Sequence, residues 1–522
     1  MRRVPLTTSL AAVAAAVAVL TGCSSPTPMD RVEPTGGEER GSGAAEQESS
    51  SGEPEPDPEP AELAEYYGQQ LDWQECGARE CATVTVPVDY AEPAGETIEL
   101  AVQRRSADGE SLGSLVINPG GPGGSGLEML TTVDQMFSGD LLARYDVVAF
   151  DPRGVGESAP VDCVSDAELD ELRAADYEMD TQQGIADFRA DARRIAEGCA
   201  AGSGPVLRHI DTRSAARDMD VLRASLGEDD LDYLGYSYGT LLGSVYAETF
   251  PGRVGRMVLD GAMDPSLTAS EISRDQAEAF EQALRAYVED CQAGPQCPLD
   301  GDVEDGMEQI RTLLDLAGED PLPTADGREL TAPLALSGIL TALYNVGNWP
   351  VLTSALEQAI GQSDGSQLMF LADFQAGRTE DGSYRDNSTE ANWAINCLDH
   401  PVRGNLEQWR SEAEDLAEAA PTFGPSLSYG DLLCEPWSVD GDGVEGPVQA
   451  AGAAPILVVG TTGDPATPYR WSESLTEQLA SGTLLTYEGE GHTAYGSSNA
   501  CVTEAVDAYL IDGVVPEDGT MC

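Results

Sequence analysis

LDYLGYSYGTLLGSVYAETFP, from Leu231 to Pro251, carries the strongest structural signal in this chain of 522 residues. It predicts a short apolar strand, a tight turn at Ser237 between Gly235 and Gly239, and then an amphipathic helix. Glycines on both sides of the serine allow a strained strand-to-helix turn that lifts the hydroxyl clear of a sheet. The free N–H groups and the dipole of the helix start point toward the same position. The stretch therefore predicts that Ser237 is a nucleophile.

The G-x-S-x-G spacing by itself is a weak signal, because it occurs twice more in this chain. One copy is GESLG (Gly109 to Gly113), in a polar turn before a strand, and the other is GQSDG (Gly361 to Gly365), between two helical patterns. Only Ser237 follows a strand and starts a helix, which is the context that the motif requires. A structural glycine turn is the alternative interpretation.

A serine nucleophile needs a base that accepts its proton and an acid that orients the base. His492 lies in GEGHTAYG, directly after the strand-like run LLTYE, where a loop at the carboxyl edge of the sheet is expected. Asp464 ends the strand-like run PILVVG, one helix and one strand earlier. The order serine, aspartate, histidine is the one that α/β-hydrolases use. The sequence therefore predicts the triad Ser237, Asp464 and His492, and the alternative for Asp464 is a simple helix cap.

Two backbone N–H groups are also needed to stabilise the negative oxygen that forms when a carbonyl is attacked. One is predicted at Tyr238, the residue after the nucleophile. The other is predicted at Gly121 in NPGGPGGSG (Asn118 to Gly126), which directly follows the strand-like run SLVIN. Glycines in this loop allow the backbone to approach a substrate closely. The next turn, FDPRGVGES (Phe150 to Ser158), is expected to brace the loops rather than to touch substrate.

Strand-like runs alternate with helical ones, which predicts a mainly parallel sheet covered on both faces. The strand pattern disappears between Asp264 and about Val448, where runs such as SRDQAEAFEQALRAYVEDC are helical. We therefore predict an α/β-hydrolase fold with an inserted helical cap. The predicted strands are Thr83–Val88, Ile98–Arg104, Ser114–Asn118, Asp146–Phe150, Leu231–Leu234, Arg256–Leu259, Pro455–Val459 and Thr483–Tyr487. The predicted domains are a signal peptide with a lipobox at 1–23, a tether at 24–60, the first part of the core at 61–263, the cap at 264–448 and the second part of the core at 449–522.

The first residues predict export and lipid attachment. Two arginines precede an apolar run from Leu6 to Leu20, which fits a secretory signal and is short for a membrane span. The tetrapeptide LTGC that ends at Cys23 resembles the lipobox of bacterial lipoproteins, and an ordinary signal peptide with a chance cysteine is the alternative. The run from Ser24 to Pro60 is rich in Ser, Gly, Glu and Pro, which is typical of a solvated tether. We expect a cell-envelope lipoprotein, anchored through Cys23 at the outer face of the cytoplasmic membrane or shed to the medium.

The formal net charge is −64, and all 28 basic residues are arginine. A chain with so little positive charge has no basic surface to neutralise phosphates, which argues against nucleic acid as a partner. The acidity favours solubility and attracts cationic ligands.

Of the 11 cysteines, ten remain when Cys23 is set aside, in a chain that is expected outside the cytoplasm. An even number in that setting predicts disulfides rather than a metal site. No C-x-x-C pair occurs and the chain has only 3 histidines, so neither a metal nor a cofactor is expected. The spacing does not determine the connectivity, but it favours short loops, with the pairs Cys76–Cys81, Cys163–Cys199, Cys291–Cys297, Cys397–Cys434 and Cys501–Cys522.

Six motifs occur in an order that resembles a known family. They are NPGGPGGSG, DPRGVGES, GYSYGT, AINCLD (Ala394 to Asp399), GDPATP and GHT, and together they resemble the tripeptidyl aminopeptidase branch of secreted actinobacterial serine peptidases, relatives of proline iminopeptidase. The resemblance covers nearly all of the predicted mature chain and implies a capped α/β-hydrolase with Ser237, Asp464 and His492 as its triad. Proline iminopeptidases carry histidine where this loop has Asn118, which argues against that narrower activity.

The resemblance implies a serine exopeptidase that releases short peptides, tripeptides by analogy, from free N-termini through an acyl-enzyme. A carboxylesterase or lipase with the same triad is one alternative, and a non-catalytic envelope binding lipoprotein is another. The number of residues released, the side-chain preference and the oligomeric state stay open.

An aminopeptidase must hold the ammonium group of its substrate at a fixed distance from the nucleophile. A carboxylate is the simplest group for this purpose, since charge-assisted hydrogen bonds are stronger than neutral ones. TEANWAINCLD (Thr389 to Asp399) places Glu390 and Asp399 in the acidic predicted cap. Either one is a candidate anchor, and the alternative is that both are ordinary solvated carboxylates.

Overall fold

The structure is a computed structural model that describes residues 61–437 and 443–522. The signal peptide, Cys23 and the tether at 24–60 lie outside these residues, so their assignments stay predictions. No helix within the two described ranges is long and apolar enough to span a bilayer.

The described residues form twelve strands. They are β1 Gln74–Cys76, β2 Arg79–Pro87, β3 Thr97–Arg105, β4 Ser114–Asn118, β5 Asp146–Phe150, β6 Leu231–Tyr236, β7 Val254–Asp260, β8 Leu322–Pro323, β9 Glu329–Leu330, β10 Ile456–Gly463, β11 Gly482–Glu490 and β12 Thr520–Met521. Each of the eight predicted strands is present, and the short strands β1, β8, β9 and β12 were not predicted. Strands of two or three residues are too short to show a hydrophobic period, which is why the sequence did not reveal them.

Ten of these strands form one sheet in the order β1-β2-β3-β5-β4-β6-β7-β10-β11-β12. The pairs from β1 through β3 to β5 are antiparallel. All the pairs from β5 through to β12 are parallel. The predicted fold class, an α/β-hydrolase sheet that is mainly parallel, is therefore confirmed.

The central strands of the sheet are buried on both faces. Leu457, Val458 and Val459 of β10 are all fully buried, but Val458 belongs to a different apolar cluster from its two neighbours. Successive side chains of a strand point to opposite faces, so the two clusters cover the two faces of the sheet. A strand in this position must be apolar at every residue, which is why the run ILVV could be recognised in the sequence.

Nineteen α-helices surround the sheet in the described ranges. They are α1 Ala64–Tyr67, α2 Gly126–Leu130, α3 Val133–Met136, α4 Gly139–Arg144, α5 Asp166–Ala174, α6 Gln182–Ser203, α7 Thr212–Leu226, α8 Tyr238–Thr249, α9 Ala269–Ala293, α10 Val303–Glu319, α11 Ala332–Leu343, α12 Trp349–Gln362, α13 Ser366–Gln375, α14 Ser388–Asp399, α15 Leu406–Ala419, α16 Gly424–Leu427, α17 Gly430–Cys434, α18 Tyr469–Gln478 and α19 Ala500–Asp512. Four 3₁₀ helices add to these at Ala61–Leu63, Gly204–His209, Pro251–Arg253 and Val346–Asn348.

The interval between β7 and β10 is helical, as the sequence predicts for the cap. Within its described residues it holds the helices from α9 to α17 and the small hairpin of β8 with β9. Many of these helices bury their apolar faces in a cluster of their own, which includes Phe280, Ile339 and Leu356. Helix α14 differs, because Ile395 and Leu398 join the cluster on one face of the main sheet. The exact domain boundaries stay predictions.

Five disulfides join the ten described cysteines in the pairs that the spacing favours, with S–S distances of 1.92 to 1.99 Å. Two of them close loops of similar length, Cys163–Cys199 with a separation of 36 residues and Cys397–Cys434 with a separation of 37. The second ties the end of α14 to α17.

Candidate active site

Ser237 stands between the end of β6 and the start of α8, with φ 55° and ψ −124°. A positive φ is rare for a residue with a side chain, and it marks the strained turn that displays a nucleophile in this class of fold. The Ser237 N–H donates to the carbonyl of Asp260, on the neighbouring strand β7, at 2.9 Å. A Cβ atom at Gly235 would lie 2.4 Å from the carbonyl oxygen of Gly239, so the turn closes only with glycine at that position.

Asp464 and His492 form a buried pair at the carboxyl edge of the sheet. The Nδ1 atom of His492 lies 2.9 Å from each carboxylate oxygen of Asp464. Asp464 is 3% exposed, and its oxygens also accept the N–H groups of Ala466, Thr467 and Thr493 at 2.8 to 3.1 Å. Asp464 therefore stabilises the start of the following loop and orients the imidazole at the same time. With Nδ1 facing the carboxylate, Nε2 is the nitrogen that can act as a base.

The charge of Asp464 governs the protonation of His492. Burial alone would lower the pKa of His492, but the adjacent Asp464 carboxylate, its hydrogen bond and the more distant Asp260 outweigh burial and raise that pKa above its usual value. A neighbouring negative charge favours the protonated ring. The arrangement therefore stabilises the imidazolium that forms when a base of this kind accepts a proton.

The turn that follows β7 lies beside both Ser237 and His492. Asp260 accepts the Ser237 N–H, and a Cβ atom on the next residue, Gly261, would lie 3.3 Å from Cε1 of His492. The fold therefore brings the predicted nucleophile and the predicted base to the same edge. The Ser237 hydroxyl and the His492 ring are not hydrogen-bonded to each other within the described residues, a common state before substrate binds.

The side chain of Asp260 is a part of this site that the sequence analysis missed. It is fully buried at the end of β7 and accepts the N–H groups of Ala494 and Tyr495 at 2.7 to 3.1 Å. Burial raises the pKa of Asp260 to about 7, against the opposing effect of those two N–H groups and of His492. The available signal was a strand, RMVLD, that ends in a carboxylate at the same sheet edge as the triad.

The glycine loop after β4 packs directly against the nucleophile turn. A Cβ atom at Gly120 would lie 2.9 Å from both Cβ of Ser237 and the N atom of Tyr238. Gly121 follows with φ 115° and is exposed. Tyr238 is the first residue of α8, so its N–H precedes the hydrogen bonds of that helix. The loop that holds Gly121 therefore lies against Ser237 and Tyr238 through Gly120, and the role of the Gly121 and Tyr238 N–H groups as oxyanion donors stays a prediction.

The turn FDPRGVGES braces this loop through its aspartate. Asp151 accepts the Ser125 hydroxyl at 2.6 Å and the Leu127 N–H at 3.3 Å. Arg153 points elsewhere, since its guanidinium is fully buried against Asp218 at 2.6 to 2.7 Å. Neither group is placed to touch a substrate, in agreement with the sequence analysis.

The predicted cap also reaches the base directly. The His492 N–H donates to the carbonyl of Tyr344, just after α11, at 2.8 Å. The Tyr344 ring packs edge-on against the imidazole, with 5.2 Å between centroids and 88° between planes. No sequence motif marked Tyr344, because the contact joins segments that are far apart in the chain.

Two family models match the chain, one described as alpha/beta hydrolase fold at residues 113–306 and one described as TAP-like protein at residues 420–522. Serine protease Hip1 of Mycobacterium tuberculosis is 39% identical over 485 residues, which cover 88% of this chain and 93% of Hip1. Carboxylesterase B of the same species is 36% identical over 86% of this chain and 88% of its own. Tripeptidyl aminopeptidase of Streptomyces lividans is 33% identical over 85% of this chain and 84% of its own. The chain belongs to their α/β-hydrolase family.

Membership in this family confirms the resemblance that the motifs predict. The relatives include two named as peptidases and one named as an esterase, and all three align with most of the chain. The chain is therefore a serine hydrolase, with peptidases among its relatives.

The two candidate ammonium anchors of this α/β-hydrolase lie in α14 and already have protein partners. Oε1 of Glu390 accepts the N–H groups of Cys163 and Val164 at 2.9 Å. Asp399 accepts the N–H and the hydroxyl of Thr212 at 2.9 and 2.6 Å. Burial raises the pKa of both carboxyl groups, that of Asp399 to about 7. Neither is an ordinary solvated carboxylate, and a role in binding the ammonium stays a prediction.

Proposed function

We propose that this protein is a serine exopeptidase that releases short peptides, tripeptides in the first instance, from the free N-terminus of peptide substrates. The observation that carries the proposal is the buried Asp464–His492 pair, 2.9 Å apart, at the sheet edge where Ser237 occupies a positive-φ turn. The peptidases among the relatives support peptides as the substrates.

The reaction follows from the roles of these groups. Nε2 of His492 accepts the hydroxyl proton of Ser237 while Oγ forms a bond to the scissile carbonyl carbon, and the carbonyl oxygen becomes negative. The N–H groups of Tyr238 and Gly121 would donate to that oxygen. The C–N bond then breaks, and the imidazolium gives its proton to the leaving amine. Water, deprotonated by His492, hydrolyses the acyl-enzyme and restores the Ser237 hydroxyl.

A pair of matched substrates tests the aminopeptidase assignment. We expect a tripeptide anilide with a free amine to be cleaved, and its N-acetylated form to be cleaved far more slowly. Removing one partner of a buried charge pair costs roughly 2–5 kcal/mol, which corresponds to a loss of at least about 30-fold in kcat/KM. Equal cleavage of the two substrates would instead indicate an endopeptidase.

Two further measurements separate the alternatives. Hydrolysis of short-chain esters without hydrolysis of any tripeptide anilide would favour a carboxylesterase. A fluorophosphonate should label the wild-type protein and leave Ser237→Ala unlabelled, whereas an unlabelled wild type would favour a non-catalytic binding lipoprotein.

Glu390 is the stronger of the two candidates for the substrate ammonium. Both backbone N–H groups that bind Glu390 donate to Oε1, and neither donates to Oε2. In Asp399, by contrast, both carboxylate oxygens accept hydrogen bonds from Thr212. Glu390→Gln should raise KM for free tripeptide anilides and leave KM for an uncharged ester unchanged. A KM for the peptides that does not change would remove Glu390 from substrate binding.

We further propose that the protein is exported and anchored through a lipid on Cys23. The support is the LTGC tetrapeptide after a short apolar run. An alkyne fatty acid fed to cells should label the wild type and not Cys23→Ser. Labelling that persists in Cys23→Ser would contradict the anchor, and the ten disulfide-bonded cysteines offer no thiol that could take the lipid instead.

A further inference from the structure

Helix α14 lies in the predicted cap by sequence, but it packs on the part of the molecule that holds the nucleophile. Its buried apolar residues belong to the same cluster as Tyr238, and they are Ala391, Ala394, Ile395 and Leu398. A disulfide from Cys397 to Cys434 fixes its last turn. The helix is therefore packed into the apolar cluster that contains Tyr238, and it contacts both segments that carry the predicted oxyanion donors.

The first turns of α14 contact the glycine loop. Nδ2 of Asn392 donates to the carbonyl of Pro122, the residue after Gly121, at 3.2 Å. A Cβ atom at Gly123 would lie 2.5 Å from the carbonyl oxygen of Ser388 and 3.1 Å from the N atom of Asn392. The loop thus rests directly on the helix, and a side-chain hydrogen bond fixes the Pro122–Gly123 peptide, two peptide units after the one that holds the Gly121 N–H.

The last turn of α14 is connected by side chains to Tyr238, the other predicted donor. The Thr212 hydroxyl donates to Asp399 at 2.6 Å and is also hydrogen-bonded to the hydroxyl of Tyr238. The single hydroxyl proton of Thr212 is donated to Asp399, so the Tyr238 hydroxyl is the donor in its bond to Thr212. All three residues are buried, which makes each of these bonds costly to lose.

We propose that α14 positions both donors of the oxyanion hole, the Gly121 loop through Asn392 and Tyr238 through Asp399 and Thr212. Asn392 and Asp399 are seven residues apart, two turns of a helix, so one face of α14 presents both. This inference rests on the proposed serine-hydrolase chemistry. In it, Asn392 and Asp399 are positioning residues that do not touch the substrate.

The test compares binding of the substrate with binding of an oxyanion. A tripeptide aldehyde forms a hemiacetal with Ser237 whose oxygen occupies the hole, so its Ki depends on the donors. Asn392→Ala and Asp399→Asn should each lower kcat about 10-fold, less than the roughly 10²–10³-fold loss of a whole donor. Each should raise the Ki of the aldehyde by a similar factor, with KM within about twofold of wild type.

Thr389→Ala is the matched control on the same helix, because no hydrogen bond of the described residues involves its side chain. It should leave kcat and Ki unchanged. Folded variants of Asn392 and Asp399 with wild-type kcat and Ki would overturn the proposal, and so would an equal loss in Thr389→Ala.

Tyr238→Phe keeps the test decisive if Asp399→Asn does not fold. It removes only the hydroxyl that joins Thr212, and leaves the ring and the backbone N–H. We expect the same loss in kcat and in aldehyde affinity as in Asp399→Asn. When both variants fold, the double variant should have a kcat only slightly below that of either single variant, because both substitutions break the same series of hydrogen bonds. If the two losses in kcat multiply in the double variant, Asp399 does not act through Tyr238.

An activated ester separates this inference from the proposed function. Its hydrolysis needs the oxyanion hole but no peptide specificity. If the wild type hydrolyses the ester and no peptide, the exopeptidase proposal fails, while a loss of ester kcat in Asn392→Ala still supports the positioning role. If peptides are cleaved and the variants match wild type on both substrates, the positioning role fails alone.

Discussion

At the scale of single residues, Asp464 both orients His492 and holds the loop before α18, but it is not the cap of that helix, whose N-cap residue is Pro468. It accepts backbone N–H groups of the loop that begins with Ala466, and it accepts a hydrogen bond from His492. An asparagine would keep one acceptor for the backbone but would turn a donor toward Nδ1 and favour the wrong imidazole tautomer. The role in orientation and the role in the loop can therefore be separated by this substitution.

Asp464→Asn should fold and lower kcat by about 10⁴-fold on a tripeptide anilide, because the imidazole is held in the wrong tautomer. The measurements are kcat and the thermal midpoint of unfolding. The double variant Ser237→Ala, His492→Ala should have a kcat only slightly lower than that of Ser237→Ala alone, because the two residues act as a unit. Near-normal turnover in Asp464→Asn would remove that residue from the mechanism.

The acid limb of the pH profile reports on His492. The ring must be neutral to accept the Ser237 proton, and the carboxylates of Asp464 and Asp260 raise its pKa. Half-maximal kcat/KM on the acid side should therefore lie above the usual histidine value of about 6.5. Asp260 has a pKa of about 7, so it carries only part of a negative charge across this limb. Asp260→Asn removes that partial charge, lowers the pKa of His492 and should move the limb to lower pH by less than about one unit.

Asp507→Asn is the matched control for that shift. Asp507 accepts the Tyr495 hydroxyl at 2.7 Å, whereas Asp260 accepts the Tyr495 N–H. Each substitution therefore removes a carboxylate that binds Tyr495. Asp507 is not among the groups that raise the pKa of His492. An acid limb that moves equally in both variants would indicate a general change of structure instead of a charge effect.

At the scale of elements, the ends of helices carry the site. Helix α8 starts at the residue after Ser237, and the end of α11 leads into Tyr344, whose carbonyl and ring both contact His492. The base is thus held by an element of the predicted cap as well as by the sheet. Its orientation depends on how α11 packs.

Tyr344→Leu should lower kcat by roughly 10-fold, because small displacements of catalytic groups are costly. The backbone hydrogen bond from His492 survives this change, but the edge-on ring contact is lost. Tyr344→Phe is the control, since it keeps the ring, and it should retain wild-type kcat. If the leucine and phenylalanine variants have equal kcat, the ring does not position His492.

At the scale of the whole molecule, the five disulfides of the described residues lie within the predicted core or within the predicted cap, and none of them joins the two. The loop closed by Cys397–Cys434 spans 37 residues, whereas Cys76–Cys81 spans 5. A cross-link removes more entropy from the unfolded chain when the loop is longer. The two bonds therefore make a matched pair for a stability measurement.

Replacing Cys397 and Cys434 by serine should lower the free energy of unfolding by about 3–4 kcal/mol, and replacing Cys76 and Cys81 by about 2 kcal/mol. Urea denaturation of both double variants measures the difference. Equal losses would show that loop length does not control these contributions. The first double variant should also reduce kcat, because its disulfide fixes the last turn of α14.

Much of the fold follows from local pattern. The central strands could be predicted because a strand buried on both faces is apolar throughout, and β10 illustrates this at ILVV. Strand β3 could be predicted from alternation instead, since the buried Ile98 and Leu100 alternate with the exposed Thr97 and Glu99. The elbow at Ser237 could be predicted because its glycines, strand and helix are neighbours in the chain. The order of Asp464 and His492 after it follows from the same alternation of strands and helices.

The partners of buried polar groups could not be predicted in this way. The sequence by itself determined the class of fold, the candidate triad and the loop of the second oxyanion donor. Only the tertiary structure decided that Asp260 faces the loop of His492, that Tyr344 packs on the ring, and that Asp399 binds Thr212, 187 residues away. A buried carboxylate must find donors within the protein, since water is excluded, and which donors it finds depends on segments that meet only in the folded chain.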